Sequence, residues 1–341
     1  MRSVNDHAGS PAPDTPHAGG PSPHIIVVGD DPDIECLAPL RDRRITRCGA
    51  GELGDMLPDA DILFVWSFAT PELRSHWSSA ARLAWIHTAT AGVDNVLFPE
   101  LAHSPVLLTN SRGIFETAIA EYVLGLLIAL AKDLPATLAN QRARKWEHRE
   151  TDRVAGRHLV LIGAGPIAVA VARLARCISM TVEVVARRER RDDPVLGHVR
   201  AAADLRGALE RADDVVIAAP LTSETHGLVG RDALSCLRPG SRLINVGRGA
   251  VLDHEALVEA LEDGRIVGAA LDVFDVEPLP PNDALWSDPR VIVSPHMAGD
   301  VKGWQDAVVA LFVANLERYL AGEPLANVVD KSRGYGSPMP D

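Results

Sequence analysis

Three stretches far apart in the chain each end an apolar run on a side chain able to do chemistry. RLINVGRGAVLD sets Arg248 in a glycine-flanked turn, GAALDVFDVEPLP carries Asp272 and Glu277, and VIVSPHMAG ends on His296. An arginine can clamp a carboxylate with its planar fork and polarise an adjacent carbonyl. A histidine can donate a proton to a carbonyl oxygen that is receiving hydride, or accept it in reverse. A glutamate can hold that imidazole in one tautomer and stabilise its charged form. Each residue also has an ordinary reading. An arginine after a strand is commonly a solvated ion-pair group, Glu277-Pro278 is an ordinary turn, and a lone histidine is often structural. The three types complete one reaction only beside a hydride source.

The signature of such a source lies upstream. LVLIGAGPIAVAVARLA places Gly163, Gly165, Pro166, Ile167 and Ala168 between an apolar strand pattern and a helical one, in a G-x-G-x-x-A spacing. Gly163 permits a tight turn, Gly165 lets backbone N–H groups approach a pyrophosphate at a positive helix end, and Ala168 is small enough for close helix–strand packing. The spacing alone is weak. The strand before it, the helix after it and a second strand within about 30 residues give it its required context. About 20 residues on, an NAD site carries a carboxylate for the ribose hydroxyls. Here that position is Ala186, followed by Arg187 and Arg188. No carboxylate to repel and two forks to hold suit a 2′-phosphate; the other reading is a basic turn in solvent. Arg190 and Arg191 are expected to face solvent and pair with Asp192 and Asp193.

These residues need strands to position them. HIIVVGDD, ADILFVWS, LAWIHTATAG and SPVLLTNS recur at roughly 20-residue intervals with helix-compatible segments between. A second series runs through HLVLIGAG, TVEVVA, DDVVIAAP, RLINVG, VGAALDVF and RVIVSP. Such alternation predicts parallel sheets with crossover helices, and ligands then sit at strand C-terminal ends. Between the two series, Phe115 to Trp146 reads as a long helix or helix pair broken at Pro135. It is expected to bridge two domains and supply much of a dimer contact. WQDAVVALFVANLERYLAG reads as an amphipathic helix.

Composition narrows the classes. The chain has 341 residues, 47% apolar, with 34 basic against 46 acidic side chains and a net charge of -12, which argues against general nucleic-acid binding. Cys36, Cys48, Cys177 and Cys236 form no C-x-x-C pair, which suggests reduced thiols of a cytoplasmic protein and no structural metal. No apolar run reaches membrane-spanning length, so no membrane partner is expected. Residues 1–23 are rich in Pro, Gly, Ser and His and read as a disordered tail, with His7, His17 and His24 as solvated filler.

TAGVDN, IAEYVLGLL, GAGPIA, NVGRGAVLD, GAALDVFDVEPLP and SPHMAG, in this order, resemble the D-isomer-specific 2-hydroxyacid dehydrogenase family over about Ile25 to Val329. The resemblance implies two doubly wound α/β domains. A Rossmann cofactor domain, 118–299, would be inserted into a flavodoxin-like substrate domain, 24–117 plus 300–330, with 331–341 a flexible tail. It implies Arg248, Glu277 and His296 as the catalytic set. Asp272 would contact the nicotinamide carboxamide or ribose. Pro220, Leu221 and Thr225 would line the adenine and ribose side, with Val246, Gly247 and Gly299 completing the cofactor contacts. The backbone at Ala91 and Gly92 would join Arg248 and His296 in binding the substrate. Ala186-Arg187-Arg188 is similar to the NADPH-using glyoxylate/hydroxypyruvate reductase branch. The function implied is reduction of a small 2-oxo acid to the D-2-hydroxy acid, by a homodimer preferring NADP(H) and accepting NAD(H). Substrate choice would lie around Trp66-Ser67-Phe68 and Thr90 to Gly92. The competing readings are a nucleotide-sensing corepressor and a phosphite- or formate-type dehydrogenase; Glu277 beside a histidine favours hydroxy-acid chemistry over the latter.

Overall fold

The computed structural model describes residues 22–29, 35–66, 71–332 and 335–336. His7, His17, Ser67, Phe68 and most of both expected tails lie outside the described residues. The chain divides into two compact units, one from residues 1–112 and 305–341, the other Gly113–Trp304. The resemblance had set these boundaries at 117/118 and 299/300.

The first unit is built on five parallel strands: β1 (Ile25–Val28), β2 (Ile45–Cys48), β3 (Ile62–Val65), β4 (Trp85–Thr88) and β5 (Leu107–Thr109), in the order β2-β1-β3-β4-β5. That is the flavodoxin-like winding. β1, β3 and β4 are buried at every position, as continuous apolar runs in a sheet covered on both faces require. Phe312 stacks on Phe64 at 4.3 Å and on Trp85 at 5.1 Å. Trp66 is buried edge-on against Phe64.

A polar chain crosses this core. Trp85 Nε1 donates to Thr109 Oγ1 at 2.8 Å, and that oxygen lies 2.7 Å from His87 Nδ1. Ser111 Oγ sits 3.3 Å from His87 Nε2 and donates to the Thr88 carbonyl at 3.0 Å. Ser111 gives its one proton to the Thr88 carbonyl and so accepts from Nε2, which leaves Nδ1 of the neutral ring to accept from Thr109. Full burial pushes the His87 pKa down to about 3, which keeps the imidazole neutral.

Two expectations for the tails change here. His24 is buried, bonded to the Asp59 carbonyl and to Thr46 Oγ1 at 2.8 Å, and Pro23 before it is buried too. Lys331, assigned to the flexible C-terminal tail, donates to the carbonyls of Leu101, Ser104 and Val106 at 2.7–3.0 Å. Both were misread because their partners are distant in sequence.

The second unit carries eight strands: β6 (His158–Ile162), β7 (Thr181–Ala186), β8 (Arg190–Asp193), β9 (Gly197–Ala201), β10 (Asp214–Ile217), β11 (Ser241–Asn245), β12 (Ile266–Leu271) and β13 (Val291–Val293). Their order is β13-β12-β11-β10-β6-β7-β9-β8, all parallel except β8 against β9. The winding direction reverses between β6 and β10, which is where such sheets bind ligands. β8 and β9 were not anticipated, because RRDD and GHVRA contain no apolar run. At the N-terminal strand ends, Arg157 bonds Asp214 at 2.7 Å and the buried Arg242 lies 3.6 Å from the same carboxylate. Burial raises the Asp214 pKa, and the Arg157 bond offsets this only in part. Those charges serve the scaffold and leave the opposite strand ends for chemistry.

The expected helix pair is α1 (Glu116–Ala131) and α2 (Leu134–Arg142), bent by 67° and belonging to the second unit. Asp133 caps α2 in a left-handed conformation, and Pro135 falls in its first turn, where a missing N–H is tolerated. Helicity stops at Arg142, short of the expected Trp146. No single helix among the described residues is long and apolar enough to cross a membrane.

Candidate active site

The glycine loop joins β6 to α3 (Pro166–Cys177). Gly163 has φ 114°, and a Cβ there would lie 2.7 Å from the Ala218 carbonyl oxygen at the end of β10. Only glycine permits both that backbone and that approach. Gly165 caps α3, and nothing lies within 4 Å of where its Cβ would be. Pro166 is exposed beside it and Ala168 is fully buried. Ile167 packs at the margin of the core. An open helix N-terminus over a tight glycine turn fits a pyrophosphate.

Beyond β7, Arg187 and Arg188 are exposed. Arg187 pairs with Glu224 at 3.6 Å, which sets the end of β7 against the turn holding Pro220, Leu221 and Thr225. That turn is tied by Thr225 Oγ1 donating to the Pro220 carbonyl at 2.6 Å. Arg190 pairs with Asp193 at 3.4 Å as expected, but it also donates to the Ala164 carbonyl of the glycine loop at 3.2 Å. Arg191 pairs with Glu189, two residues away, and not with Asp192 or Asp193.

The three chemical stretches meet in this unit. His296 Nδ1 lies 2.8 Å from Glu277 Oε2. A carboxylate can only accept, so Nδ1 carries the proton and Nε2 is left for exchange. Glu277 Oε1 accepts from the Phe274 N–H at 2.8 Å. Burial alone would raise the Glu277 pKa. Bonds from His296 and Phe274, with the charges of His296 and Arg248, outweigh it and hold the carboxyl below its usual range. The His296 side chain remains 28% exposed, enough to meet a ligand.

Each member is fixed by its strand end. Asn245, 1% exposed at the end of β11, accepts from the Gly247 N–H and donates to the Arg248 carbonyl, both at 3.1 Å. A Cβ on Gly249 would overlap the Phe274 carbonyl carbon and the Asp275 nitrogen. The loop bearing Arg248 thus presses on the loop bearing Glu277. His296 has φ 53°, a conformation that costs a non-glycine residue about 1–3 kcal/mol unless its surroundings enforce it. Asp272 enforces it. Its carbonyl accepts from the His296 N–H at 2.8 Å, and its carboxylate accepts from Ser294 Oγ at 2.6 Å and from the Met297 and Ala298 N–H groups at 3.0 and 2.9 Å.

Four residues expected at the cofactor also have structural partners. Asp272 is 2% exposed with both carboxylate oxygens engaged, so it organises the histidine loop. Val246 is a core residue, and its N–H extends the ladder to Ile217. Gly299 packs on the Phe115 ring, where a Cβ would meet Cδ1 at 3.0 Å. Gly247 is buried against the Ala219 carbonyl oxygen. Asn245 and Ser294 were missed, although a polar residue closing an apolar strand was the available signal. Ala91 and Gly92 lie in the first unit, their loop held by Thr90 Oγ1 donating to the Gly92 carbonyl and Asn110 Nδ2 to the Ala91 carbonyl, each at 2.6 Å. Among the described residues no group of His, Cys, Asp and Glu is arranged to hold a metal ion.

Residues 124–298 match the NAD binding domain of D-isomer specific 2-hydroxyacid dehydrogenases. The chain is 34% identical over 262 residues to a glyoxylate reductase of Thermofilum pendens, covering 74% of this chain and 76% of that one. It is 30% identical over 316 residues to a D-3-phosphoglycerate dehydrogenase of Bacillus subtilis, covering 89% of this chain but spanning only 58% of that relative's length. Among solved structures, it superposes with TM-score 0.81 and 27% identity on an NADPH-dependent glyoxylate/hydroxypyruvate reductase of Sinorhizobium meliloti, covering 93% of this chain and all of that one. The chain belongs to the D-isomer specific 2-hydroxyacid dehydrogenase family, a family of oxidoreductases.

Proposed function

We propose that the protein reduces a small 2-oxo acid to the D-2-hydroxy acid, using NADPH in preference to NADH. The observation that carries this reading is the 2.8 Å pair of His296 and Glu277, placed at a strand end of the sheet that also bears the glycine loop. The open α3 N-terminus would hold the pyrophosphate, and Arg187 with Arg188 the 2′-phosphate. When bound, the nicotinamide supplies the hydride.

The chain's own residues do the rest. The Arg248 guanidinium binds the substrate carboxylate and polarises its carbonyl. His296 gives the Nε2 proton to the carbonyl oxygen as charge develops there, while Glu277 holds the ring and balances its positive form. In the reverse direction Nε2 takes the hydroxyl proton. The Ala91 and Gly92 backbone is proposed as a further carboxylate contact. A homodimer is also proposed, on the exposed Ile128, Leu134, Leu138 and Trp146 of the helix pair and the segment after it.

The test is steady-state kinetics with NADPH and NADH against glyoxylate, hydroxypyruvate, pyruvate and bulkier 2-oxo acids. Turnover of at least one, faster with NADPH, is expected. Oxidation of neither nucleotide with any of them would overturn the proposal.

A further inference from the structure

Ala186 leaves a methyl group where NAD sites of this winding carry a carboxylate, yet the rim does not lack one. Glu224 reaches it from the facing turn and pairs with Arg187 at 3.6 Å, the two side chains 61% and 41% exposed. The turn that presents Glu224 is stiff. Thr225 Oγ1 accepts from the Thr222 N–H at 2.8 Å and donates to the Pro220 carbonyl at 2.6 Å, and the Glu224 N–H donates to Thr222 Oγ1 at 3.3 Å. Arg190, three residues on from Arg187, is engaged with Asp193 and the Ala164 carbonyl.

We infer that Glu224 is a specificity-determining residue for the nucleotide. Its carboxylate competes with a 2′-phosphate for the Arg187 guanidinium, and with NADH it accepts from the ribose hydroxyls as the missing strand-end acid would. This rests on the reading of Arg187 as a 2′-phosphate ligand. The direction follows from charge. A phosphate monoester carries about -1.5 to -2 at neutral pH, so a carboxylate sharing its arginine repels it. A neutral amide keeps the turn and removes the repulsion. The size follows from exposure. Solvent-exposed pairs are weak, so Glu224 tunes affinity roughly two- to fivefold and does not set it outright.

The experiment is titration calorimetry of NADPH and NADH binding to the wild type, Glu224→Gln, Arg187→Ala and the double variant, without substrate, with the melting temperature as a check on folding. Glu224→Gln is expected to tighten NADPH about two- to fivefold and to weaken NADH by a similar factor, with the NADPH gain absent in the Arg187→Ala background. If Glu224→Gln leaves the ratio of the two affinities unchanged while Arg187→Ala still weakens NADPH selectively, the role of Glu224 is overturned and the phosphate reading of Arg187 stands. If Arg187→Ala weakens both nucleotides alike, the phosphate reading falls, and the competition with it. A gain that persists without Arg187 overturns the competition by itself.

Discussion

Two imidazoles in this chain sit at or near strand ends and have opposite fates. His296 keeps 28% of its side chain exposed and faces a carboxylate at 2.8 Å. His87 is fully buried and faces two hydroxyls, with a pKa near 3. Ring type is the same, and both rings have hydrogen-bond partners. What differs is whether the environment tolerates a positive charge. A carboxylate partner and an open edge suit His296 to the proton transfer proposed for it. A dry pocket whose hydroxyl chain already has a fixed direction holds His87 neutral. Partner chemistry and exposure together, rather than hydrogen bonding alone, separate the imidazole proposed as proton donor from a core polar group.

The largest effect expected from that contrast is on turnover. His296→Ala should lower kcat by about 10²–10⁴ with little change in urea stability, because the ring is not part of a core. Near-wild-type turnover would place the proton donor elsewhere and break the comparison. The next effect is on stability. The unfolded chain protonates His87 near 6.5 and the folded one only near 3. Between those values the unfolded state binds more protons, so stability is lost as pH falls below about 6.5, by roughly 1.4 kcal/mol per unit and up to roughly 5 kcal/mol by pH 3. Urea unfolding of the wild type and His87→Asn from pH 7 to 3 measures it; equal slopes in the two proteins would show that His87 is not held neutral. The smallest effect belongs to the partner. Glu277→Gln keeps the shape but removes the charge, and a charge-assisted bond is worth about 1.5–3 kcal/mol. A fall in kcat/KM of roughly ten- to a hundredfold is expected, and an unchanged value would make the carboxylate a spectator.

Much of this was legible along the chain. Strands buried on both faces announce themselves as apolar runs, and Gly163, Arg248, Glu277 and His296 stand where those runs end. What was illegible is what depends on partners far away in sequence. His87 reads as one polar residue in LAWIHTATAG, and burial among residues distant in sequence, Phe64 and Phe312 among them, keeps it neutral. Arg187 reads as a free fork until the fold brings Glu224 to it. The position of Asp272 after β12 is visible in the chain, whereas its burial and its bonds to Ser294, Met297 and Ala298 are not. β8 escaped because an edge strand of four charged residues carries no hydrophobic period, and β9, one place further in, because GHVRA has a single β-branched apolar residue.

The contact of Gly249 with Phe274 constrains how this site can be rebuilt. Gly249 presses against the peptide that joins Phe274 to Asp275, and Phe274 is also the residue whose N–H orients Glu277. The loops after β11 and β12 are therefore keyed to each other by a missing methyl group. A chimera whose crossover falls between residues 249 and 274 inherits a matched pair only when the incoming segment keeps both the glycine and the backbone course opposite it. In directed recombination among relatives, the two loops behave as one heritable block although Phe274 lies 25 positions after Gly249.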